Sequence, residues 1–212
     1  MNRVDHVEIG PCRAADVPLL GRFLPTPGAP ARHAERFARQ EAGAGTYLLA
    51  RRDGVPVGNG QVRWDGCAAP EVRAAVGDCP EFNGLDVRED LRGRGIGTAL
   101  ILAAEDLARE RGRTALGLGV ADDNPRAAAL YARLGYARVL TYTDRWSWTD
   151  ADGHRHDEAD PCTFLVRDLS DPSDLSDPRD LSDPRDPRDP RDPRDPRDPR
   201  DLSDPRGPGI GG

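Results

Sequence analysis

The chain has 212 residues, a formal net charge of −7 and 37% hydrophobic residues. That length suits one globular domain with an appendage, and the acidic balance lacks the basic surplus of a nucleic-acid footprint, so no nucleic-acid partner is expected. No apolar run approaches a membrane helix in length, so no membrane partner is expected, and the charged start, Met1 to Val7, lacks the apolar core of a signal peptide, which points to a cytoplasmic protein.

In chain order, Val7 to Pro11 reads as a first strand and Ala14 to Phe23 as a short helix. Leu24 to Ala31 is a Pro-rich loop, and Arg32 to Gln40 a second helix. Thr46 to Arg52 and Val55 to Trp64 form a hairpin around Asp53-Gly54, a strong turn pair. Gly66 to Gly77 reads as a loop and Glu81 to Val87 as the fourth strand.

The next stretch, Leu91-Arg92-Gly93-Arg94-Gly95-Ile96-Gly97-Thr98-Ala99-Leu100, carries the most information. Three glycines alternate with other residues, two of them Arg, and an apolar helical pattern starts inside the motif. Glycine lets backbone N–H groups approach a ligand with no Cβ in the way. A helix N-terminus adds unpaired donors and partial positive charge. Strand, turn and helix together make a phosphate or pyrophosphate site. It is not a Walker loop, because all 30 basic residues are Arg and no Lys is available. Nor is it a dinucleotide fingerprint, because Thr98 stands where the third glycine is needed.

Ile96, Leu100, Ala103 and Leu107 carry the helix to Arg111, and Gly112 follows as a stop. Ala115 to Val120 is the fifth strand. Asn124 is a good N-cap and Pro125 a good first helical residue. Ala127, Leu130, Tyr131 and Leu134 then share one apolar face, and Gly135 closes the helix. Ala137 to Trp148 and Cys162 to Arg167 pair as a closing hairpin across Asp152-Gly153. His154-Arg155-His156 reads as a hydrophilic turn, and no metal is expected. Cys12, Cys67, Cys79 and Cys162 show no paired spacing and read as free thiols.

From Asp168 to Asp204 an Asp recurs at every third residue, settling into Asp-Pro-Arg from Asp183 to Arg200. Such a segment has too little apolar content to bury a core. Residues 168–212 are expected to be a disordered tail with polyproline II character, behind a folded domain of residues 5–167. The tail holds 13 Asp and 8 Arg, which leaves 24 acidic and 22 basic residues before it, nearly balanced.

Two motifs carry a family resemblance. Arg92-x-x-Gly95-x-Gly97 resembles the acetyl-CoA pyrophosphate motif of the GNAT superfamily of N-acetyltransferases. Asn124-x-x-Ala127-x-x-Leu130-Tyr131-x-x-x-Gly135-Tyr136 is similar to the family's second motif, in the right order and at plausible distance. Ile9 to Leu20 looks like the family's usual first strand and following helix. The resemblance implies an α/β (α+β) fold with a mixed, mostly antiparallel sheet flanked by helices. It implies acetyl-CoA as co-substrate and direct attack by a primary amine in a ternary complex. The acceptor would be a small molecule or a peptide or protein amine, and the protein a monomer or homodimer.

In that frame, residues 92–98 (Arg92, Gly93, Arg94, Gly95, Ile96, Gly97, Thr98) hold the pyrophosphate. Strands four and five splay, and pantetheine lies between them on the backbone of Leu85 to Val87, with Gly84 helping the strand bulge. Asn124 matches a position that often contacts pantetheine. Tyr131 matches the position that commonly protonates the departing thiolate. Asn83 sits where many relatives carry Glu and cannot accept a proton. Glu81, on the same strand face as Asn83, Leu85 and Val87 by alternation, is the candidate base, with Asp86 or a water chain as alternatives. The first two helices and the late hairpin would wall the acceptor site. Trp64, Trp146, Trp148 and the acidic Asp144, Asp150 and Asp152 are candidates to line it. Two other readings remain: a non-catalytic acyl-CoA-binding module, and an interaction protein that works through its repeat tail.

Overall fold

The structure is a computed structural model that describes residues 7–25, 28–150 and 152–170. The repeat segment expected to be a tail lies outside the described residues from position 171 on. The elements are β1 (Val7–Pro11), α1 (Val17–Phe23), α2 (Ala29–Glu41), β2 (Gly45–Arg52), β3 (Val55–Arg63), α3 (Pro70–Val76), β4 (Glu81–Val87), α4 (Ile96–Glu110), β5 (Ala115–Ala121), α5 (Pro125–Arg133), β6 (Ala137–Thr149) and β7 (Arg155–Asp168). The strands form one sheet in the order β1-β2-β3-β4-β5-β7-β6. Every neighbouring pair is antiparallel except β4 and β5, which run parallel.

Most elements follow from local chemistry. Asp53 and Gly54 both have positive φ, 52° and 74°, as a two-residue hairpin turn between right-twisted strands demands. Asn124 caps α5, its side-chain oxygen accepting from the Ala127 N–H at 3.1 Å. Gly135, just beyond that helix, takes φ 81°.

Three expectations need correction. Residues 66–77 are not all loop, because Pro70 starts α3 and buries Val72. The closing hairpin is much longer than expected: β7 starts at Arg155 rather than Cys162, and β6 pairs with it from Ala137 to Thr149. Asp168 ends that strand and Leu169 is buried, its N–H donating to the Thr114 carbonyl at 2.7 Å. The core therefore continues past the boundary expected at residue 167.

The sheet has two covered faces. On one, α4 and α5 pack over Leu48, Val62, Phe82, Leu116, Leu118 and Leu165. On the other, α1 and α2 cover Tyr47 and Leu49, and α3 covers Tyr142 and Phe164. A buried ion pair locks the first face. Arg167 of β7 donates to both Glu105 oxygens of α4 at 3.0 and 3.1 Å, and the Tyr136 hydroxyl donates to the same carboxylate at 3.0 Å.

Candidate active site

The feature that makes a site is an incomplete sheet. β5 pairs with β7 at seven consecutive positions, Ala115 to Ala121. β4 and β5 are joined at one, Glu81 opposite Gly117, next to a Gly117 N–H donated to the Pro80 carbonyl at 2.9 Å. Beyond that point the strands diverge and a cavity of about 270 Å³ opens between them. Its walls include Glu81 to Leu85 of β4, Gly119 to Ala121 of β5, and Asn124, Ala127 and Tyr131 at α5.

A bulge in β4 sets what faces where. Gln61 of β3 pairs with Asn83 and Asn59 with Asp86, so β4 spends one residue more than its partner. Gly84, at φ 62°, occupies the bulge. The extra residue reverses the side-chain alternation. Leu85 and Val87 join Phe82 on the α4 face and lie against Gly97 of that helix. Glu81, Asn83 and Asp86 face the α1–α2 side, each paired across the strands with Arg63, Gln61 and Asn59. The expectation that Glu81, Asn83, Leu85 and Val87 share one face is therefore wrong. It held for a regular strand, and the bulge breaks the period of two.

The glycine turn sits at the end of β4. Gly93 and Gly95 both have positive φ, 74° and 80°, and Gly95 is the N-cap of α4. The first intrahelical bond there is Ala99 N–H to the Gly95 carbonyl, at 2.9 Å. The N–H groups of Ile96, Gly97 and Thr98 have no helical carbonyl one turn earlier to accept them. Arg92 bends back over the strand, donating to the Val87 carbonyl at 2.9 Å and to the Asp86 carboxylate at 3.4 Å. Arg94 is an exposed residue of the same turn.

Glu81 and Tyr131, the two candidate proton carriers, meet in the β4–β5 cavity. Glu81 is 5% exposed. Asn83 donates to its carboxylate at 3.1 Å and Arg63 stands 3.8 Å away. Burial outweighs those contacts and holds its pKa above the ordinary carboxylate range. Tyr131 is 7% exposed, and burial pushes its phenol up to about 12. Its hydroxyl has no hydrogen-bond partner among the described residues. The structure thus brings Glu81, Asn83, Leu85, Asn124 and Tyr131 to one cavity, with residues 92–98 at the end of the strand that lines it.

Sequence reasoning missed part of this wall. Asp160 lines the cavity beside Asp144, and the two are direct cross-strand partners in β6 and β7. Burial first, and then Asp160, raise the Asp144 pKa. An Asp in a charged run that reads as a turn gave no signal of its own. Asp150 and Asp152 lie at the far tip of the hairpin instead, where Asp150 accepts from His156 at 2.9 Å. Trp64 is a core residue whose indole donates to Thr46 at 3.3 Å, and Trp148 stacks on His156 at 4.1 Å. Trp146 alone of the three approaches the cavity, donating to Asp160 at 2.7 Å. All four cysteines are free and buried.

Residues 18–136 match the acetyltransferase (GNAT) family. An uncharacterized N-acetyltransferase of Methanocaldococcus jannaschii is 46% identical over 56 residues, which is 26% of this chain and 25% of the relative. The match therefore spans a quarter of that curated protein. Among solved structures, an N-acetyltransferase of Staphylococcus aureus aligns with a TM-score of 0.57 at 15% identity, over 77% of this chain and 99% of the other. The ribosomal-protein-S18-alanine N-acetyltransferase of Escherichia coli aligns at 0.57 and 18% identity, over 78% and 96%. A Salmonella typhimurium protein described as an acetyltransferase with its cofactor acetyl-CoA aligns at 0.55 and 20% identity, over 77% and 94%. These similarities in structure speak for the fold.

Proposed function

Because this chain belongs to the acetyltransferase (GNAT) family, we propose that it moves the acetyl group of acetyl-CoA to a primary amine of a small molecule or peptide, by direct attack in a ternary complex. The observation that carries this reading is the one-rung junction between β4 and β5. Past it, the β4 backbone has no strand partner on that side, and an extended ligand can take the vacant place. The residues fit acetyl-CoA: a gap for a linear chain, a bulged strand edge, and at its end a turn of glycines with unpaired helix donors. When bound, acetyl-CoA supplies an activated thioester carbonyl.

The protein's own groups do the rest. Backbone N–H groups from Leu85 to Val87 orient the thioester arm, and a donor aimed at its oxygen stabilises charge that builds there. Residues 92–98 hold the pyrophosphate, with Arg92 and Arg94 adding positive charge. Glu81 takes a proton from the bound substrate ammonium and so frees the amine lone pair that attacks, and its raised pKa makes it a better base than a solvated carboxylate. Asn83 orients that carboxylate. Tyr131, a phenol that is protonated at neutral pH at its ordinary pKa and stays so here, donates to the leaving thiolate. Transfer belongs to the folded domain, and the repeat segment takes no part in it.

Free-thiol release from acetyl-CoA, followed across a panel of aminoglycosides, polyamines, amino acids and short peptides, tests this reading. Turnover on one class supports it. Saturable acetyl-CoA binding with no turnover on any amine would instead indicate a binding module, and no acetyl-CoA binding would remove the ligand assignment.

A further inference from the structure

A second cavity, of about 200 Å³, adjoins the first at Gly84 and Leu85. It is walled by Arg32, His33 and Arg36 of α2, by Asn59 of β3 and by Asp86. Arg32 and Arg36 stand one helical turn apart, a like-charge spacing that destabilises a helix. Neither is fully solvated. Desolvation first, and then the Arg36 charge, lower the pKa of Arg32. Among the described residues neither makes an ion pair. Arg36 donates to the neutral Asn59 Oδ1 at 2.8 Å and lies over the Tyr47 ring at 5.7 Å, while Arg32 lies over Trp146 at 4.6 Å. The one carboxylate in the wall, Asp86, accepts from Arg92.

Asn59 supplies the independent sign of a ligand. It is 1% exposed, and its Nδ2 has no partner among the described residues. The amide is fixed in that orientation, because its Oδ1 accepts from the Arg36 guanidinium, which can only donate. His33 has no donor to spare, since its ring nitrogens are taken up by Tyr47 at 2.6 Å and the Leu24 carbonyl at 3.1 Å. A buried N–H with nothing to accept it carries a large penalty. Two clustered guanidiniums beside it complete an anion cradle.

We infer that this cavity holds the carboxylate of the acceptor, which is therefore a small amine that also bears a carboxylate, of amino-acid type. The carboxylate lies on Arg32, Arg36 and Asn59 Nδ2. The amine crosses the Gly84–Leu85 bulge into the acidic end of the first cavity, where Glu81, Asp144 and Asp160 stand. The two ends carry opposite charge, as a zwitterion requires. The position of the amine rests on the transfer reading above, whereas the carboxylate site does not.

The test needs no turnover. N-acetyl amino acids with neutral, acidic and aromatic side chains, and their carboxamides, are titrated calorimetrically into the full chain saturated with CoA. At least one acid should bind tenfold or more tighter than its amide. Arg32→Gln, which gives up a ring contact and an attraction to Asp144 but no ion pair among the described residues, should bring the two within twofold while its melting curve stays that of a folded protein. Arg36 lies against Gly84 and Asn59, so the parallel substitution is Asn59→Leu, with the same loss of discrimination expected. Equal binding of acids and amides, no binding of any acid, or unchanged discrimination in Arg32→Gln would each overturn the inference. Thiol release that ignores the carboxylate would overturn it and leave the transfer reading intact. Acid-selective binding without thiol release on any amine would do the reverse.

Discussion

The two sides of β5 differ more than any other neighbouring surfaces of the sheet. Toward β7 the strand is bonded at seven successive positions, and a buried Glu105–Arg167 pair fastens the same region to α4. Toward β4 it keeps one position and opens a cavity. The closed seam holds the shape of the domain. The open seam leaves the β4 backbone without a strand partner past Glu81, and Gly84 bulges β4 within it. Stability and chemistry are therefore separable here, and substitutions should sort by seam.

Breaking the closed seam should give the largest effect. Arg167→Met leaves the fully buried Glu105 only Arg109 at 3.7 Å and the Tyr136 hydroxyl, and breaking the pair is worth about 3 kcal/mol. Urea unfolding should show it, and acetyl-CoA affinity of the folded fraction should be unchanged. On the open seam, Tyr131→Phe should lower kcat by roughly 10²-fold through loss of the acid. Its melting temperature should move little, because the hydroxyl has no partner among the described residues.

Glu81→Gln sharpens the contrast through pH. A base must be deprotonated, so the wild-type rate should rise as pH climbs through the raised pKa of Glu81 and level off above it. The variant should lose at least about tenfold in rate and the whole rising limb with it. A variant that is slower but keeps that limb would move the base to Asp86 or to water.

Gly84→Ala should act least. Its φ of 62° is unfavourable for a side chain by about 1–2 kcal/mol, and a Cβ there would meet the Arg36 guanidinium. The expected result is a modest rise in KM for acetyl-CoA with a small drop in stability. Unchanged KM would mean that the bulge does not set the width of the seam.

Much of this was legible in the residues, and the limits have physical causes. β1, β4 and the Asp53-Gly54 hairpin follow from alternation and turn chemistry, and the Arg92–Thr98 turn from its glycines. α3 escaped notice because seven residues between glycines carry too little periodicity. The first half of β7, Arg155 to Pro161, is so polar that it reads as loop, yet it is a strand because β6 runs beside it along its whole length. The one-residue bulge at Gly84 cannot be placed from a period-two pattern, and it decides which face Leu85 and Val87 take. Arg32, Arg36, Asn59 and Asp160 each look like ordinary surface or strand residues along the chain. Only the packing of α2 and the β6–β7 ribbon around β4 brings them to the two cavities.

Backbone hydrogen exchange, with and without acetyl-CoA, tests the open seam most directly. Saturating acetyl-CoA should slow exchange at Leu85 to Val87 and at residues 93–98 by tenfold or more, and leave the β5–β7 ladder as it was. Protection confined to other segments, or none at β4 despite saturable binding, would contradict the assignment of this gap as the acetyl-CoA site.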